Sequence, residues 1–325
     1  MTAKRNGRMV LVTGGAGFIG SHLVEGLLEK GNMVRVLDDL SNGKEENLHG
    51  LGNGRWLMGR DFEFIRGDIR DAETVDKAVK GVDAILHQAA LGSVPRSVAD
   101  PLTTQQVNAD GTLQVFWAAK NNGVSRVVFA SSSSVYGDSE LLPKREGEEG
   151  APLSPYALTK RVNEDFGRLF SNLYGLKTIG LRYFNVYGPR QDPTSAYAAV
   201  IPRFLTALLS GDAPVIYGNG EQSRDFTYAK DVVEANLLAL EAPASACGAA
   251  YNIGRGDQAN LLMLLGTLQK LLGTDIKPKF DPPRAGDVMH SSADTSLAAR
   301  MLGFKAKSDL MSGLGESIQW YKENL

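Results

Sequence analysis

A glycine-rich turn follows the first apolar run of the chain. Met9–Thr13 has the apolar, β-branched character of a strand, and the residues after it, GGAGFIG, lead into an amphipathic helical pattern. Small residues there allow a tight turn and let a pyrophosphate approach the amides at the helix N terminus, where the helix dipole favours an anion. A glycine triplet alone is weak evidence. Its place between a strand and a helix indicates a dinucleotide-binding turn formed by Gly14, Gly17, Phe18, Ile19 and Gly20.

Short apolar runs and longer helical patterns alternate through the first 180 or so residues, which predicts an α/β fold with a doubly wound parallel sheet. The expected strands are Met9–Thr13, Met33–Leu37, Phe62–Arg66, Ala84–His87, Arg126–Ala130 and Lys177–Arg182. The expected helices are Phe18–Lys30, Ala72–Val79, Thr103–Asn122, Pro155–Tyr174, Ala198–Ser210, Ala229–Leu240, Asn260–Leu272 and Ser308–Tyr321. The glycine-rich segment Gly43–Gly59 is expected to be a surface excursion.

The pattern loosens beyond about residue 183. We therefore expect a nucleotide-binding domain at 1–182 and a smaller α/β carboxyl-terminal lobe at 183–325, with some segments returning to the first domain. Composition limits the rest. A net charge of −2 without a basic run argues against a nucleic-acid binder, and the single cysteine, Cys247, rules out an internal disulfide. No metal site, membrane span or signal peptide is predicted, which favours a cytoplasmic enzyme.

An acidic pair ends the second predicted strand. Asp38 lies eighteen residues beyond Gly20, where a carboxylate can accept hydrogen bonds from an adenosine ribose. Its negative charge would repel a 2′-phosphate, so NAD is favoured over NADP. The other residues expected on the cofactor path are Asp39, Ser41, Asn42, Gly43, Asp68, Ile69, Gln88, Ala89 and Ala90.

The stretch SPYALTK places Tyr156 four residues before Lys160. Pro155 suits the first turn of a helix, and residues at i and i+4 share a helix face, so both side chains can point at one ligand. Tyrosine and lysine at this spacing also occur by chance in many helices. The pair alone leaves open whether it is catalytic or an ordinary helix start.

Several motifs together carry a family resemblance. In order, GGAGFIG, GDIRD, the serine run before VYG, SPYALTK and RYFNVYGPRQ resemble the extended short-chain dehydrogenase/reductase superfamily. Within it, HQAALGSVPRS, RYFNVYGPRQDP and SRDFTY are similar to the bacterial UDP-N-acetylglucosamine 4-epimerases. The resemblance covers nearly the whole chain. It implies a Rossmann sheet that carries NAD and a carboxyl-terminal lobe that holds a nucleotide sugar.

The resemblance implies that Tyr156 removes the proton of a sugar 4-hydroxyl. The Lys160 ammonium and the positive charge of nicotinamide would favour the phenolate of this tyrosine, whose unperturbed pKa is about 10. Lys160 would also hold the nicotinamide ribose. The catalytic serine of the superfamily falls on Ser132, with the neighbouring Ser133 as the alternative. The same resemblance adds Ser131 and Tyr183 to the cofactor site.

The resemblance leaves several reactions open, because all begin with oxidation at C4. A 4,6-dehydratase needs an acid and a base that its family supplies as Asp-Glu, where this chain has Ser133 and Ser134, so dehydration is disfavoured. A UDP-glucuronate 4-epimerase or decarboxylase stays as the alternative, since Arg96 could meet a C6 carboxylate. A non-catalytic NAD sensor would be expected to lose the catalytic residues. A steroid or flavonoid reductase would not need Arg224 and Arg284, which resemble the arginines that hold the pyrophosphate in this family.

A UDP-sugar is the expected substrate. Ser291 stands where relatives restricted to UDP-glucose and UDP-galactose have a bulky tyrosine, which implies room for a 2-acetamido group. The other residues expected at the substrate are Gly92, Ser93, Ser133, Asn185, Ala199, Val200, Tyr217, Arg224, Arg284 and Asp287. A homodimer through a four-helix bundle is also implied. Phe116, Trp117, Phe166 and Phe170 could form its contacts or pack on the chain's own sheet.

Overall fold

The computed structural model describes residues 7–193, 198–283 and 289–324. Thirteen strands in this part of the chain are numbered in chain order. They are β1 (Met9–Thr13), β2 (Met33–Asp38), β3 (Phe62–Arg66), β4 (Ala84–His87), β5 (Arg126–Ser132), β6 (Lys177–Tyr183), β7 (Val186–Tyr187), β8 (Val215–Tyr217), β9 (Ser223–Arg224), β10 (Thr227–Tyr228), β11 (Ala249–Ile253), β12 (Ala259–Asn260) and β13 (Lys279–Asp281).

Seven strands form one parallel sheet in the order β3-β2-β1-β4-β5-β6-β11. The predicted doubly wound parallel sheet is confirmed, and its first six strands lie within two residues of their predicted bounds. Strand β11 was not predicted. The chain order reverses between β1 and β4, and in such sheets the crevice beyond the carboxyl ends of these strands is the usual ligand site. The division of the chain near residue 182 stays a prediction.

The helices flank this sheet and fill the second half of the chain. They are α1 (Phe18–Glu29), α2 (Leu51–Gly54), α3 (Ala72–Val79), α4 (Val94–Ala99), α5 (Pro101–Gln105), α6 (Gly111–Asn121), α7 (Pro155–Tyr174), α8 (Val200–Leu209), α9 (Ala229–Glu241), α10 (Leu261–Leu272), α11 (Ser296–Leu302) and α12 (Leu310–Asn324). No helix within the described ranges is both long and apolar enough to cross a membrane.

The helix predicted at Thr103–Asn122 is not regular. A π-helical turn, Gln106–Asp110, separates α5 from α6. Within this turn the side chain of Asn108 binds the main chain of Leu91, accepting from its N–H at 2.7 Å and donating to its carbonyl at 3.2 Å. A widened turn lets a buried amide serve a neighbouring loop, and such turns are common beside functional sites.

The segment Gly43–Gly59 is not only a surface excursion. A 3₁₀ turn at Glu45–Leu48 and the short helix α2 turn three apolar side chains inward, and Leu48, Leu51 and Trp56 join the main hydrophobic core. The prediction was wrong for these residues because the glycines between them hide any regular apolar period.

Two apolar layers cover the sheet. One contains residues of α1, α9 and α11, and the other contains residues of α3, α6 and α7. A third core lies in the carboxyl-terminal half, where α8, α10 and α12 pack together. The sheet is therefore rigidly held from both faces, and the ends of its strands can position side chains with little freedom.

Candidate active site

A cavity of about 860 Å³ opens at the carboxyl edge of the sheet. Every residue predicted for the cofactor lines it. These are Gly14, Gly17, Phe18, Ile19, Gly20, Asp38, Asp39, Ser41, Asn42, Gly43, Asp68, Ile69, Gln88, Ala89, Ala90, Ser131, Tyr156, Lys160 and Tyr183. Of the predicted substrate residues that the structure describes, Gly92 also lines this wall.

The glycine turn leaves no room for side chains. Gly14 has φ +68°, and a Cβ there would lie 2.7 Å from the Ala89 nitrogen. A Cβ on Gly20 would lie 2.0 Å from the Gly14 carbonyl oxygen. The glycine turn therefore brings α1 close to β1, and no side chain on these glycines covers the backbone amides at the start of α1. This cradle fits the pyrophosphate of a dinucleotide.

Asp38 is fixed at the end of β2. Its carboxylate accepts hydrogen bonds from the backbone N–H groups of Ala16 and Leu40, both at 2.9 Å. Burial raises the pKa of Asp38, while these backbone donors oppose the shift. The side chain is thus held in one orientation at the cavity wall, where its remaining lone pairs can accept from ribose hydroxyls.

Two other predicted cofactor residues have partners that the sequence did not suggest. The Asp68 carboxylate forms an ion pair with Arg70, which lowers the pKa of Asp68. Tyr183 donates its hydroxyl to Gln88 at 3.2 Å and accepts from Asn236 of α9 at 2.9 Å. Burial raises the pKa of Tyr183 to about 12, so this tyrosine stays protonated and serves as a hydrogen-bonding wall.

Tyr156 and Lys160 lie together on α7, whose first turn is capped by Ser154. The Lys160 ammonium lies 5.8 Å from the centre of the Tyr156 ring and donates to the Ala130 carbonyl at 2.9 Å. Burial lowers the pKa of Lys160 to about 8. The expected lowering of the Tyr156 pKa is not seen among the described residues, because burial raises this pKa and the hydrogen bond with Ser132 opposes the shift to a smaller extent.

The serine run spans the end of β5. Ser132 is the last residue of the strand, caps the following 3₁₀ turn by accepting from the Ser134 N–H at 3.2 Å, and lies close enough to Tyr156 to lower its pKa. Ser133 begins that turn instead. The Ser131 hydroxyl donates to Glu164 at 2.5 Å. Of the run, Ser132 is therefore the serine whose contact with Tyr156 the structure supports.

The sequence analysis missed a charged network that adjoins the predicted catalytic pair. Arg182, at the end of β6, donates to Glu164 at 2.7 and 2.9 Å, to the Tyr136 hydroxyl at 2.9 Å and to Glu149. All these side chains are largely buried. Glu164 follows Lys160 by one helical turn, and its charge raises the Lys160 pKa against the effect of burial. The sequence signal that could have revealed this network is the arginine near the end of the otherwise apolar strand β6.

The predicted substrate residues lie around the carboxyl-terminal lobe. Asn185 follows β6 with φ +25°, an unusual backbone for any residue but glycine. Arg224, in β9, donates to the carbonyls of Ser223 at 2.8 Å and Met289 at 3.3 Å. The Ser291 N–H donates to the Ser223 carbonyl at 3.1 Å, and Ser291 is half-buried. Strand β9 therefore contains Arg224 and also holds Ser291 through a backbone hydrogen bond.

The remaining residues predicted at the substrate lie in other parts of the structure. The Ser93 hydroxyl caps α4, accepting from the Arg96 N–H, and one guanidinium nitrogen of Arg96 donates to Asn42 at 2.9 Å, on the cofactor side. Ala199 and Val200 start α8, and the Arg203 guanidinium lies 5.2 Å from the centre of the Tyr217 ring. Arg284 and Asp287 lie outside the described residues.

A family model described as the NAD dependent epimerase/dehydratase family matches residues 10–254, which include all of the seven-stranded sheet except its first residue. The chain therefore belongs to that family. Its residues fit the cofactor, as the glycine cradle and the anchored Asp38 show, and it is an NAD-dependent enzyme.

Individual relatives cover almost the whole chain. A putative UDP-glucose 4-epimerase from Methanocaldococcus jannaschii is 38% identical over 318 residues, 97% of this chain and 99% of that protein. Among solved structures, the UDP-N-acetylglucosamine 4-epimerase of Methanobrevibacter ruminantium, in complex with UDP-N-acetylmuramic acid, is 42% identical with a TM-score of 0.92, covering 98% and 99%. The UDP-glucose 4-epimerase of Thermotoga maritima, solved with UDP-glucose, is 37% identical with a TM-score of 0.90, covering 97% and 99%.

Proposed function

We propose that this NAD-dependent UDP-sugar 4-epimerase interconverts UDP-N-acetylglucosamine and UDP-N-acetylgalactosamine, in preference to UDP-glucose and UDP-galactose. The observation that carries the proposal is Ser291, a small, half-buried residue whose backbone is hydrogen-bonded to the strand that contains Arg224. The likeness to a UDP-N-acetylglucosamine 4-epimerase supports it as well.

The reaction uses the three side chains that meet at the end of β5. Bound NAD supplies the hydride acceptor for the sugar C4 and later the donor. Tyr156 takes the proton of the 4-hydroxyl, and Ser132 hydrogen-bonds that hydroxyl beside it. Lys160 keeps a positive charge next to the phenolate that forms, which lowers the cost of that charge in a buried site. The keto sugar would then turn within the pocket so that the hydride returns to the other face of C4, and Tyr156 would give the proton back to the 4-oxygen.

The diphosphate is bound by arginines of the carboxyl-terminal lobe. Arg224 donates to the Ser223 carbonyl, which also accepts from the Ser291 N–H, and a guanidinium can pair with phosphate oxygens through two parallel hydrogen bonds. Arg284 completes this clamp in the proposal, with Asn185 at the sugar-linked phosphate. Tyr217, backed by Arg203, lies on β8 and offers an aromatic face to the uridine.

The 2-acetamido group is accommodated between Ser291 and the loop that contains Gly92 and Ser93. Gly92 has open space where a side chain would stand. Ala199 adds little bulk. A tyrosine at 291 would fill the space that the acetamide needs, so the serine sets the size limit of the pocket.

The test compares substrates without added NAD. Purified protein is incubated with UDP-N-acetylglucosamine, UDP-glucose and UDP-glucuronate, and each product is separated by chromatography. We expect C4 epimers from the first two, with the higher kcat/KM on the acetylated sugar. Turnover of UDP-glucuronate alone would favour the alternative enzyme class, for which the contact of Arg96 with Asn42 gives little support.

Ser291→Tyr sharpens this test, with Ser291→Ala as its matched control. The tyrosine should lower kcat/KM on the acetylated sugars by about tenfold or more, the range for a poorly fitting group, and spare UDP-glucose. Alanine removes the hydroxyl without adding bulk, so Ser291→Ala should leave kcat/KM unchanged on both the acetylated sugars and UDP-glucose. Equal losses on both sugar classes would mean that residue 291 supports the fold, and the size argument would be withdrawn.

We also propose a homodimer that pairs helices α4 to α7 of two chains. Phe116 and Phe170 belong to the chain's own core, so they are not contacts. An exposed apolar strip on adjacent helices is available instead, and contiguous apolar surface of this kind marks interfaces. Its members are Val98, Leu102, Trp117, Leu158, Leu169 and Leu173.

A further inference from the structure

Arg190 ties the loop after β7 to the first helix. Its guanidinium donates to Glu25 and to Nδ1 of His22, both at 2.6 Å, and both partners lie on α1. The Arg190 and Glu25 side chains are 13% and 26% exposed, so this pair is shielded from solvent. Arg190 has φ +65°, an uncommon backbone for a residue with a side chain, which the surrounding contacts must hold in place.

His22 completes the cluster as a neutral group. Burial, aided by the Arg190 charge, lowers the pKa of His22 to about 3. The neutral ring donates from Nε2 to the Pro189 carbonyl at 2.9 Å, which leaves Nδ1 as the acceptor for Arg190. Two successive residues of the loop are therefore bonded to one side chain of α1, and the loop cannot lift away without breaking both contacts.

Further contacts hold the same loop. The Tyr321 hydroxyl of α12 donates to the Gln191 carbonyl at 2.7 Å, and Lys44 lies 3.5 Å from Asp192. Glu25 also accepts from the Gly52 N–H at 2.7 Å, on the segment that flanks the predicted adenosine end. The loop is thus bonded to three separate parts of the chain around one side of the cofactor cavity.

The cluster forms a wall of that cavity. His22, Glu25, Pro189 and Arg190 all line it, next to Phe18 at the glycine turn, and the Phe18 ring packs edge-on against His22 at 5.7 Å. We propose that residues 188–192, the retaining strap, keep NAD bound through the whole catalytic cycle, and that Arg190 is the positioning residue that locks the strap onto α1.

An epimerase has a chemical reason to keep its NAD bound throughout the catalytic cycle. The sugar is oxidised and reduced in one cycle, so the cofactor that gains a hydride must still be present to return it. A dehydrogenase instead has to exchange its cofactor after each turnover. The inference rests on the NAD-dependent epimerase class and not on which sugar is the substrate. Its main readout is bound NAD, which can be measured whatever sugar the enzyme accepts.

The test uses Arg190→Gln, with Arg60→Gln as the matched control, because Arg60 is an exposed arginine paired with Asp61 away from the cavity. Each protein is desalted at high dilution, and the NAD released by acid is measured per chain. We expect wild type and the control to keep their NAD. Loss of a buried charge-assisted contact should speed NAD release from Arg190→Gln by roughly 10- to 100-fold.

Activity gives the second readout. Arg190→Gln should lose activity on dilution and regain most of the wild-type kcat at saturating added NAD. Retention of NAD by Arg190→Gln would overturn the proposal. Loss of NAD without recovery of kcat would also overturn it, because Arg190 would then support folding or chemistry. If Arg190→Gln is insoluble, Glu25→Gln carries the test, since it keeps the arginine, leaves an amide oxygen for the Gly52 N–H and removes the ion pair with Arg190.

Discussion

His87 makes the stability of this enzyme depend on pH. It ends β4 and is fully buried, with Nδ1 2.6 Å from the Thr13 hydroxyl and Nε2 2.9 Å from the Thr112 hydroxyl. Burial, with the charge of Lys160 as a smaller cause, lowers the pKa of His87 from 6.5 to about 3. The ring is therefore neutral in the folded protein at any pH at which an enzyme of this kind is handled.

The sign follows from proton binding. Between pH 6.5 and 3 the unfolded chain protonates this histidine and the folded chain does not, so the free energy of unfolding falls as the pH falls through that window. The contribution is complete above pH 6.5. A pH of 5 is about 1.5 units below the pKa of histidine in the unfolded chain. Protonation of the unfolded state therefore lowers the free energy of unfolding by about 2 kcal/mol at this pH.

The assay compares thermal midpoints of wild type and His87→Gln at pH 7 and pH 5, both with NAD bound. Glutamine can still donate to one threonine hydroxyl and accept from the other, but it does not titrate. On acidification the thermal midpoint of wild type should fall further than that of the variant, by about 3 °C for 2 kcal/mol in a chain of this length. Carboxyl groups titrate alike in both proteins, so their contributions cancel in the comparison.

Parallel curves for the two proteins would refute the reasoning. They would mean that water or a rearrangement lets His87 accept a proton in the folded state, and that its burial is not maintained in solution. A steeper fall in the variant would refute the sign itself. His22 is similarly buried and remains in both proteins, so it cannot produce the difference.

Three further outcomes are expected. Tyr156→Phe should lower kcat by about 10²- to 10⁴-fold with NAD content unchanged, and near-normal turnover would sink the proposed base. Arg182→Met leaves buried carboxylates unpaired, so calorimetry should show a loss of about 3 to 5 kcal/mol, partly recovered by adding Glu164→Gln; an unchanged midpoint would contradict this. Leu173→Glu should give a monomer by light scattering where wild type is a dimer, and a monomeric wild type would remove the dimer proposal.

Local patterns predicted the parts of the fold that depend on neighbours in sequence. The bounds of β1, β3, β4 and α7 are the predicted ones, because each is a short apolar run or an amphipathic period between clear turn residues. The glycine turn was predictable for the same reason. Its spacing is set by the contact of Gly20 with Gly14, six residues apart.

Features that depend on distant partners were not predictable. The π turn exists where Asn108 binds Leu91, and nothing in the helical period of that segment shows this need. Strand β11 joins the sheet beside β6 from a part of the chain assigned to the other lobe. Arg190 looked like part of a loop motif, and its partners on α1 are more than 160 residues away.

Helix α7 contains both residues that the sequence predicted and one that it did not. Tyr156, Lys160 and Glu164 follow one another at four-residue steps along α7, so they share a face. Motif resemblance pointed to the first two only. Glu164 is bonded to Ser131, next to the carbonyl that holds the Lys160 ammonium, and to Arg182 across the sheet edge. The charge of Lys160 therefore depends on a network that includes two strands, and replacing Glu164 should disturb Lys160 although the Glu164 side chain does not itself line the cavity.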